Sequence, residues 1–384
     1  MTRLFPQNLI KHWQNSEDLI QVIIGPRQVG KTTAILNLAK DGQTHYVTAD
    51  LPTSPTADLI LIEWEKAKKK LPEDGVIIFD EVQKIPRWSE VIKKIWDERI
   101  RTGGKQNCWI LGSSALLLEK GLSESLTGRF ELNHFPHWTF GEVEKVFQTS
   151  LYDYVYWGGY PKIYSLKDDE ERANDYLQNS IIETTLGRDI LSLHSVDKPA
   201  LLRQLFWYIS RLPAQMVSFE KILGALQGKG NSATIVNYAE LLRMAFVIVP
   251  IYKYSQAMHR TKKSIPKWII PNPALVDVSI KEERLKNFTF ENLVGSHLLN
   301  ITFGKYEYEL QYWNENGKEI DFILCKRGVP QWSFEVKSGR SKKMLSPQTL
   351  KERGINCPYL LINQSNIEKF LRINSEKDLG QLDE

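Results

Sequence analysis

Near the amino terminus, eight consecutive residues have the types and order of a phosphate-binding loop: Gly25-Pro26-Arg27-Gln28-Val29-Gly30-Lys31-Thr32. Its two glycines let the backbone turn so that successive N–H groups point at phosphate oxygens. Lys31 brings a cation to the β- and γ-phosphates, and Thr32 offers a hydroxyl group to Mg²⁺. A short apolar run precedes the loop and a helical pattern follows it. This context predicts an ATP-binding loop that extends to Thr33, with ATP and Mg²⁺ as cofactors.

A second acidic motif has the position expected of a partner for this loop. Residues 76–79 form an apolar run that predicts a buried strand, and Asp80 and Glu81 follow directly. Asp80 is suited to the Mg²⁺ shell, and Glu81 to orienting or activating the attacking water. The alternative is an ordinary strand that ends in a surface acidic pair. The Asp-Glu order favours ATP hydrolysis over the other P-loop alternative, a small-molecule kinase.

Two further residues are candidates for sensing or stabilising the γ-phosphate. Ser113 follows a fourth predicted strand, where a polar side chain can act as a sensor; a helix N-cap at Ser114 is an equally good interpretation of this segment. Arg129 is a candidate arginine finger, acting in its own subunit or in a neighbouring one of a homo-oligomer. A structural ion pair is the alternative role for Arg129.

Acidic residues and a lysine in the last third of the chain form a second candidate site. On a predicted strand, Glu335 and Lys337 are two residues apart and therefore share a face. Asp321, on the preceding predicted strand, takes the face opposite to its apolar neighbours. Two carboxylates can bind Mg²⁺, a neighbouring lysine can position water for phosphodiester attack, and Glu291 on the helix before can complete the shell. The order resembles the nuclease signature Asp–(about 14)–Glu-x-Lys, although a solvated sheet face is the alternative.

A basic stretch follows two short helical patterns, residues 218–226 and 232–244. The order helix, turn, helix and hairpin is that of a winged helix. Cations in this stretch are candidates for contacts with DNA phosphates. They are Lys253, Arg260, Lys262, Lys263 and Lys267. The alternative is a solvated loop, since runs of charge are usually that.

The helices and strands that position these residues are predicted from the periodicity of apolar residues along the chain. Strand and helix patterns alternate over the first third, which predicts an α/β fold with a parallel sheet covered on both faces. Residues 168–212 read as helical. Residues 288–302 predict a helix, and residues 308–313, 320–325 and 332–336 predict an antiparallel meander.

Composition places few limits on function. The chain has 384 residues, 42% hydrophobic and 25% charged, with a formal net charge of +4, so two or three soluble domains are expected. Cys108, Cys325 and Cys357 are far apart and match no zinc spacing. Neither a signal peptide nor a membrane-length apolar run is evident. These features predict a cytoplasmic protein with no membrane partner.

Several short motifs together resemble one family. They are Phe-Asp-Glu-Val-Gln at 79–83, Leu-Gly-Ser-Ser at 111–114, Leu-Thr-Gly-Arg at 126–129, Trp-Gly-Gly-Tyr-Pro at 157–161 and Gly-Arg-Asp-Ile at 187–190. Over nearly its whole length the chain is similar to bacterial and archaeal AAA-type ATPases that carry a C-terminal domain of unknown function. The resemblance implies an AAA core at 1–145, a helical and winged-helix domain at 146–270, and a domain similar to PD-(D/E)XK nucleases at 271–384. DNA is then the expected partner, and the nuclease-like domain is either an active nuclease or an inactive binding module under ATP control.

Overall fold

The computed structural model describes residues 19–38, 42–112, 125–191, 196–226, 231–255, 264–277, 279–280, 287–339 and 344–382. Contacts between Cα atoms divide the chain into two compact units, Met1–Phe135 and Pro136–Glu384. In the described part of the chain, no helix is long and apolar enough to cross a membrane.

A five-stranded parallel sheet forms the centre of the first unit. Its strands are β1 (Ile20–Ile24), β2 (Thr44–Thr48), β3 (Val76–Asp80), β4 (Asn107–Gly112) and β5 (Phe130–His134), in the spatial order β2-β3-β4-β1-β5. All four pairings are parallel. The three central strands are buried along their whole length, which is why they are nearly continuous apolar runs. The predicted α/β fold with a parallel sheet is confirmed.

Along the chain, one α-helix follows each of the strands β1, β2 and β3. They are α1 (Lys31–Leu38), α2 (Asp58–Lys70) and α3 (Trp88–Arg101). Helix α2 buries Ile60, Trp64 and Ala67, which are spaced to lie on one face, and it ends in three lysines that complement the helix dipole. In α3 the Arg99 guanidinium lies 4.3 Å from the Trp96 ring centroid, so this buried cation has an aromatic partner.

The second unit begins with helices and ends with a mixed sheet. Its helices are α4 (Phe140–Phe147), α5 (Leu151–Trp157), α6 (Glu170–Asp175), α7 (Pro199–Ser210), α8 (Phe219–Ala225), α9 (Ser232–Met244), α10 (Asn287–Ile301), α11 (Pro347–Glu352) and α12 (Ile367–Leu371). Wider π-helical turns at Tyr176–Ile182 and Thr185–Ile190 continue α6. The described part of the predicted helical region at 168–212 is therefore helical for most of its length.

A six-stranded sheet joins two regions of the second unit. The strands are β6 (Val249–Lys253), β7 (Lys267–Ile269), β8 (Tyr308–Glu315), β9 (Lys318–Lys326), β10 (Val329–Lys337) and β11 (Tyr359–Asn363), ordered β11-β10-β9-β8-β6-β7. Strands β8, β9 and β10 are successively antiparallel, which confirms the predicted meander. Strand β6 pairs in parallel with β8 and antiparallel with β7. The hairpin after α9 is thus hydrogen-bonded to the C-terminal meander.

The Trp-Gly-Gly-Tyr-Pro motif is a close-packed junction in the second unit. Gly158 has φ +63°, and a Cβ atom there would lie 1.9 Å from Asn272 Oδ1. A Cβ atom on Gly159 would lie 2.4 Å from the carbonyl oxygen of Trp138. The N–H of Gly159 donates to Asn272 Oδ1 at 3.1 Å, and Asn272 Nδ2 lies 2.9 Å from Nδ1 of His137. Both glycines are required by packing.

Candidate nucleotide site and C-terminal charge cluster

The phosphate loop leaves the carboxyl end of β1 and enters α1. Gln28 and Gly30 have φ of 57° and 81°, so two residues of the loop adopt the left-handed conformation. A Cβ atom on Gly25 would lie 2.1 Å from the carbonyl oxygen of Phe135, which follows β5. Glycine at position 25 is therefore required by the close approach of the neighbouring chain. This turn directs the loop over the amino end of α1, where backbone N–H groups favour anions.

Lys31 lies within this loop. Its buried ammonium donates hydrogen bonds to the carbonyl oxygens of Gly25 at 2.9 Å and Pro26 at 2.7 Å. The cation is therefore held among the same residues that the sequence predicts to surround the phosphates.

Asp80 lies at the carboxyl end of β3 and receives two hydroxyl donors. Thr32 Oγ1 donates to Asp80 Oδ2 at 2.7 Å, and the phenol of Tyr46 on β2 donates to the same oxygen at 2.8 Å. Burial and the Asp80 carboxylate raise the pKa of Tyr46, so its phenol remains the donor. Hydroxyl and carboxylate oxygens are hard ligands of the kind that Mg²⁺ prefers, so Thr32 and Asp80 fit the ion. The sequence motifs did not include Tyr46.

Glu81 follows Asp80 in a left-handed conformation, with φ 54°. Its N–H donates to the carbonyl oxygen of Leu111 on β4 at 3.0 Å, and Gln83 Nε2 donates to Glu81 Oε2 at 2.6 Å. Burial raises the pKa of the Glu81 carboxyl, and the charges of Arg27 and Lys31 oppose that rise. A half-buried, oriented carboxylate beside the loop has the properties of a base or a water-positioning group.

The structure does not bring Arg129 to this site within one chain. Arg129 directly precedes β5, and its carbonyl oxygen accepts the N–H of Ile20 at the start of β1. The loop leaves the other end of β1, about 16 Å of strand away. The Arg129 guanidinium forms two hydrogen bonds with Asp97 on α3, at 2.6 and 3.2 Å. In this structure Arg129 therefore does not reach the phosphate loop of its own chain. Ser113 lies outside the described residues.

The predicted C-terminal site residues do come together. Glu335 and Lys337 form an ion pair on β10, and the phenol of Tyr359 on β11 donates to Glu335 Oε2 at 2.6 Å. Asp321 on the adjacent β9 accepts the N–H of Val336 through Oδ2 at 2.7 Å. Glu291, on α10, is linked to Asp321 through Lys267.

Lys267 belongs with Glu291, Asp321, Glu335 and Lys337 to one cluster of charged side chains, contrary to its predicted contact with DNA. Its ammonium lies 2.5 Å from Glu291 Oε1 and 3.9 Å from Asp321 Oδ1, and the side chain is only 4% exposed. It also donates to the carbonyl oxygen of Asp321 at 3.3 Å. Lys267 begins the short strand β7, which pairs with β6 and carries the lysine inward. The apolar residues directly after it were the available signal, since a lysine that opens an apolar run can be buried with an acidic partner.

Burial and the charges of neighbouring side chains shift the pKa values of the cluster. Burial and the neighbouring Glu291 raise the pKa of Asp321 well above its usual range, while Lys267 opposes this. Burial also raises the pKa of Glu291, again opposed by Lys267. Burial lowers the pKa of Lys267, but the attraction of Glu291 and Asp321 outweighs it, and the net direction is upward. Over the described part of the chain, no group of three or more His, Cys, Asp or Glu side chains is arranged to hold a metal ion.

Of the remaining basic candidates, the structure describes Lys253. It lies on β6, and its ammonium is 3.1 Å from Glu315 Oε1 on β8. Arg260, Lys262 and Lys263 lie outside the described residues.

Three family models match consecutive parts of the chain. Residues 17–144 match the model described as an AAA domain. This match, together with the parallel sheet and the phosphate loop, identifies an AAA-type domain in the amino-terminal part of the chain. Residues 148–284 match a domain of unknown function (DUF8612), and residues 286–374 match another (DUF4143). A comparison with curated proteins found no match.

Three solved structures are similar to this chain at low identity. The Walker-type ATPase PABY2304 of Pyrococcus abyssi is 14% identical, with a TM-score of 0.48 over 72% of this chain and 94% of that chain. AMPPCP-bound DnaA from Aquifex aeolicus is 18% identical, with a TM-score of 0.32 over 62% and 86%. The Aeropyrum pernix ORC1 protein in complex with DNA is 13% identical, with a TM-score of 0.30 over 72% and 90%. All three TM-scores lie below 0.5.

Proposed function

We propose that the protein is a Mg²⁺-dependent ATPase whose nucleotide site is built from residues 25–33, Asp80 and Glu81. The shared hydrogen bond of Thr32 and Asp80 is the observation that carries this proposal, since it pairs the two predicted Mg²⁺ ligands. Lys31 neutralises charge on the β- and γ-phosphates. Glu81 orients the attacking water and accepts a proton from it as a general base. Bound Mg²⁺ supplies neutralising charge on the phosphate oxygens.

Arg129 and Ser113 complete the proposed site in different ways. Ser113 is proposed as the polar sensor at the end of β4. Arg129 is proposed to act only on the site of a second copy, because its own site is at the other end of β1. An Arg129→Ala variant is then expected to lose turnover but keep nucleotide binding, and adding a Lys31→Ala variant that supplies Arg129 should restore some activity. An absence of such rescue assigns Arg129 to its ion pair with Asp97.

Two substitutions test the ATPase mechanism. Lys31→Ala is expected to abolish ATP binding because the phosphates lose their cation, and Glu81→Gln is expected to keep binding but reduce turnover by roughly 100-fold or more. Phosphate release and fluorescent-nucleotide binding measure the two effects. Lys84→Ala is the matched control, since this exposed lysine pairs with Asp50. Normal hydrolysis in both site variants would refute the mechanism, and a need for a second phosphate-accepting substrate would indicate a kinase.

The second unit is proposed to bind DNA through a winged-helix arrangement. Helix α9 packs against α7, α8 and β6, and the β6–β7 hairpin follows it, which is the element order of a winged helix. Basic residues between the two hairpin strands carry charge suited to phosphates. We expect replacing Arg260, Lys262 and Lys263 by glutamine to weaken duplex binding and to reduce its salt dependence by roughly one unit of slope per lost contact. Fluorescence anisotropy at several salt concentrations measures both, and unchanged binding would show that these three residues do not contact DNA.

A nuclease-like domain that does not cleave DNA is the second candidate role for the C-terminal meander. The ion pair of Lys267 with Glu291 favours it over an active nuclease, because a cation already neutralises the predicted metal ligands. Cleavage assays with plasmid, single-stranded DNA and RNA in Mg²⁺ or Mn²⁺ decide the matter. Cleavage lost in Glu335→Ala and Lys337→Ala would establish an active nuclease, whereas the absence of cleavage on any substrate supports an ATP-controlled binding module.

A further inference from the structure

The residues of the C-terminal charge cluster do not fit the divalent metal that the nuclease resemblance implies. The charge cluster is defined here as Lys267, Glu291, Asp321, Glu335 and Lys337. It contains three carboxylates and two ammonium groups, so most of the negative charge that would attract Mg²⁺ is already neutralised.

Each carboxylate of the charge cluster already has a partner. Glu291 pairs with Lys267 at 2.5 Å, and Glu335 pairs with Lys337 and accepts the Tyr359 phenol at 2.6 Å. Asp321 accepts the Val336 N–H at 2.7 Å, and its Oδ1 faces Lys267 at 3.9 Å. A dication within reach of Glu291 and Asp321 would lie beside a buried ammonium and be repelled by it.

Lys267 also connects three elements of the second unit. Its backbone belongs to β7, its ammonium pairs with α10 through Glu291, and it donates to the backbone carbonyl oxygen of Asp321 on β9 at 3.3 Å. The ammonium lies 5.3 and 5.4 Å from the ring centroids of Phe322 and Tyr312, which adds favourable contacts to a buried cation. These contacts make the buried Lys267 side chain a structural component of the second unit.

We propose that the Lys267 ammonium takes the place of a metal ion in this cluster, so that an internal ion pair fills the site on the nuclease-like sheet and the cluster does not bind divalent cations. The inference concerns the second unit alone and holds whether or not the first unit hydrolyses ATP. It predicts a gain of function: removing the ammonium leaves two close carboxylates that need a cation and turns the cluster into a metal site.

A Mn²⁺ titration of the full chain tests this proposal. All proteins carry Asp80→Asn and are free of nucleotide, so that Mn²⁺ at the nucleotide site is not counted. For the parent protein, which carries Asp80→Asn alone, we expect that added Mn²⁺ causes no loss of the electron paramagnetic resonance signal of free Mn²⁺ and no change in Tm. The Lys267→Met protein, of similar side-chain length but uncharged, is expected to bind Mn²⁺ at least about tenfold more tightly than the weakest binding that the titration detects, and to gain Tm as Mn²⁺ is added.

Two further variants test whether the new Mn²⁺ binding depends on Lys267 and Asp321 in particular. Lys253→Met removes a lysine from the other strand of the same hairpin and should behave as the parent protein, since Lys253 pairs with Glu315 outside the cluster. Adding Asp321→Asn to Lys267→Met should abolish the new Mn²⁺ binding. If Lys267→Met unfolds without metal, recovery of its native circular dichroism with Mn²⁺, but not with NaCl of equal ionic strength, supports the proposal. Mn²⁺ binding by the parent protein that Asp321→Asn removes, or a Lys267→Met protein that neither binds Mn²⁺ nor refolds with it, overturns it.

Discussion

At both candidate sites, individual charged side chains are held by partners from other elements. Asp80 receives hydroxyl hydrogen bonds from Thr32 in the loop and from Tyr46 on β2. These two donors hold the carboxylate in one orientation, as outer partners do for the ligands of metal sites.

Tyr46 is expected to tune the Mg²⁺ requirement. Tyr46→Phe removes the hydroxyl donor to Asp80 and keeps the ring, so the half-saturating Mg²⁺ concentration for ATP hydrolysis should rise by roughly tenfold, with a smaller change in kcat at saturating Mg²⁺. Phosphate release measured across a Mg²⁺ titration checks this. Tyr152→Phe, which changes an exposed tyrosine on α5, is the control. An unchanged Mg²⁺ requirement would show that Tyr46 does not position Asp80.

His297 on α10 is expected to make the stability of the second unit sensitive to acid. Burial lowers its pKa to about 3, and backbone groups of Ile373 and Phe370 oppose this only in part. In the unfolded chain the imidazole binds a proton with the ordinary pKa of 6.5, whereas in the folded chain it stays neutral at that pH. Stability from this residue is therefore complete above pH 6.5 and falls, by about 1.4 kcal/mol per pH unit, as the pH drops towards 3. His297→Leu should flatten this slope in urea unfolding measured at several pH values, and an unchanged slope would contradict the assignment.

At the scale of elements, backbone packing decides where glycine is required. Gly158 ends α5 at the junction with Asn272, with positive φ and no room for a Cβ atom. Gly224 on α8 is exposed, and a Cβ atom there would meet nothing within 4 Å. The two positions form a natural pair for comparison.

The two glycines should respond to alanine in opposite directions. Gly158→Ala is expected to lower the free energy of unfolding by about 2 kcal/mol or more, because strain and a steric clash coincide. Gly224→Ala is expected to raise it by about 0.5–1 kcal/mol, because alanine restricts the unfolded chain and favours the helix. Urea denaturation measures both changes. Equal effects at the two positions would mean that the junction relaxes without cost.

At the scale of the molecule, strand pairing decides which segments fold together. The β6–β7 hairpin pairs with β8, and Lys267 from that hairpin neutralises Glu291. Both interactions cross residue 270, the boundary that the sequence predicts between the winged-helix and nuclease-like domains.

Fragments test that boundary directly. A fragment of residues 271–384 is expected to be unfolded or aggregated, since it exposes the edge of β8 and buries Glu291 and Asp321 without their cation. A fragment of residues 136–384 keeps the hairpin and is expected to fold. Circular dichroism and limited proteolysis distinguish the outcomes. A stably folded 271–384 fragment would establish the predicted boundary.

The sequence alone determined the features that depend on local order and periodicity. The phosphate loop, the buried strand before Asp80 and the C-terminal meander follow from residue types and spacing, because hydrogen bonding and burial act over a few residues. Tertiary structure alone decided which distant groups meet. It brought Tyr46 to Asp80 and Lys267 to Glu291, and it separated Arg129 from the loop of its own chain. Strand order and register set these distances, and no short motif records them.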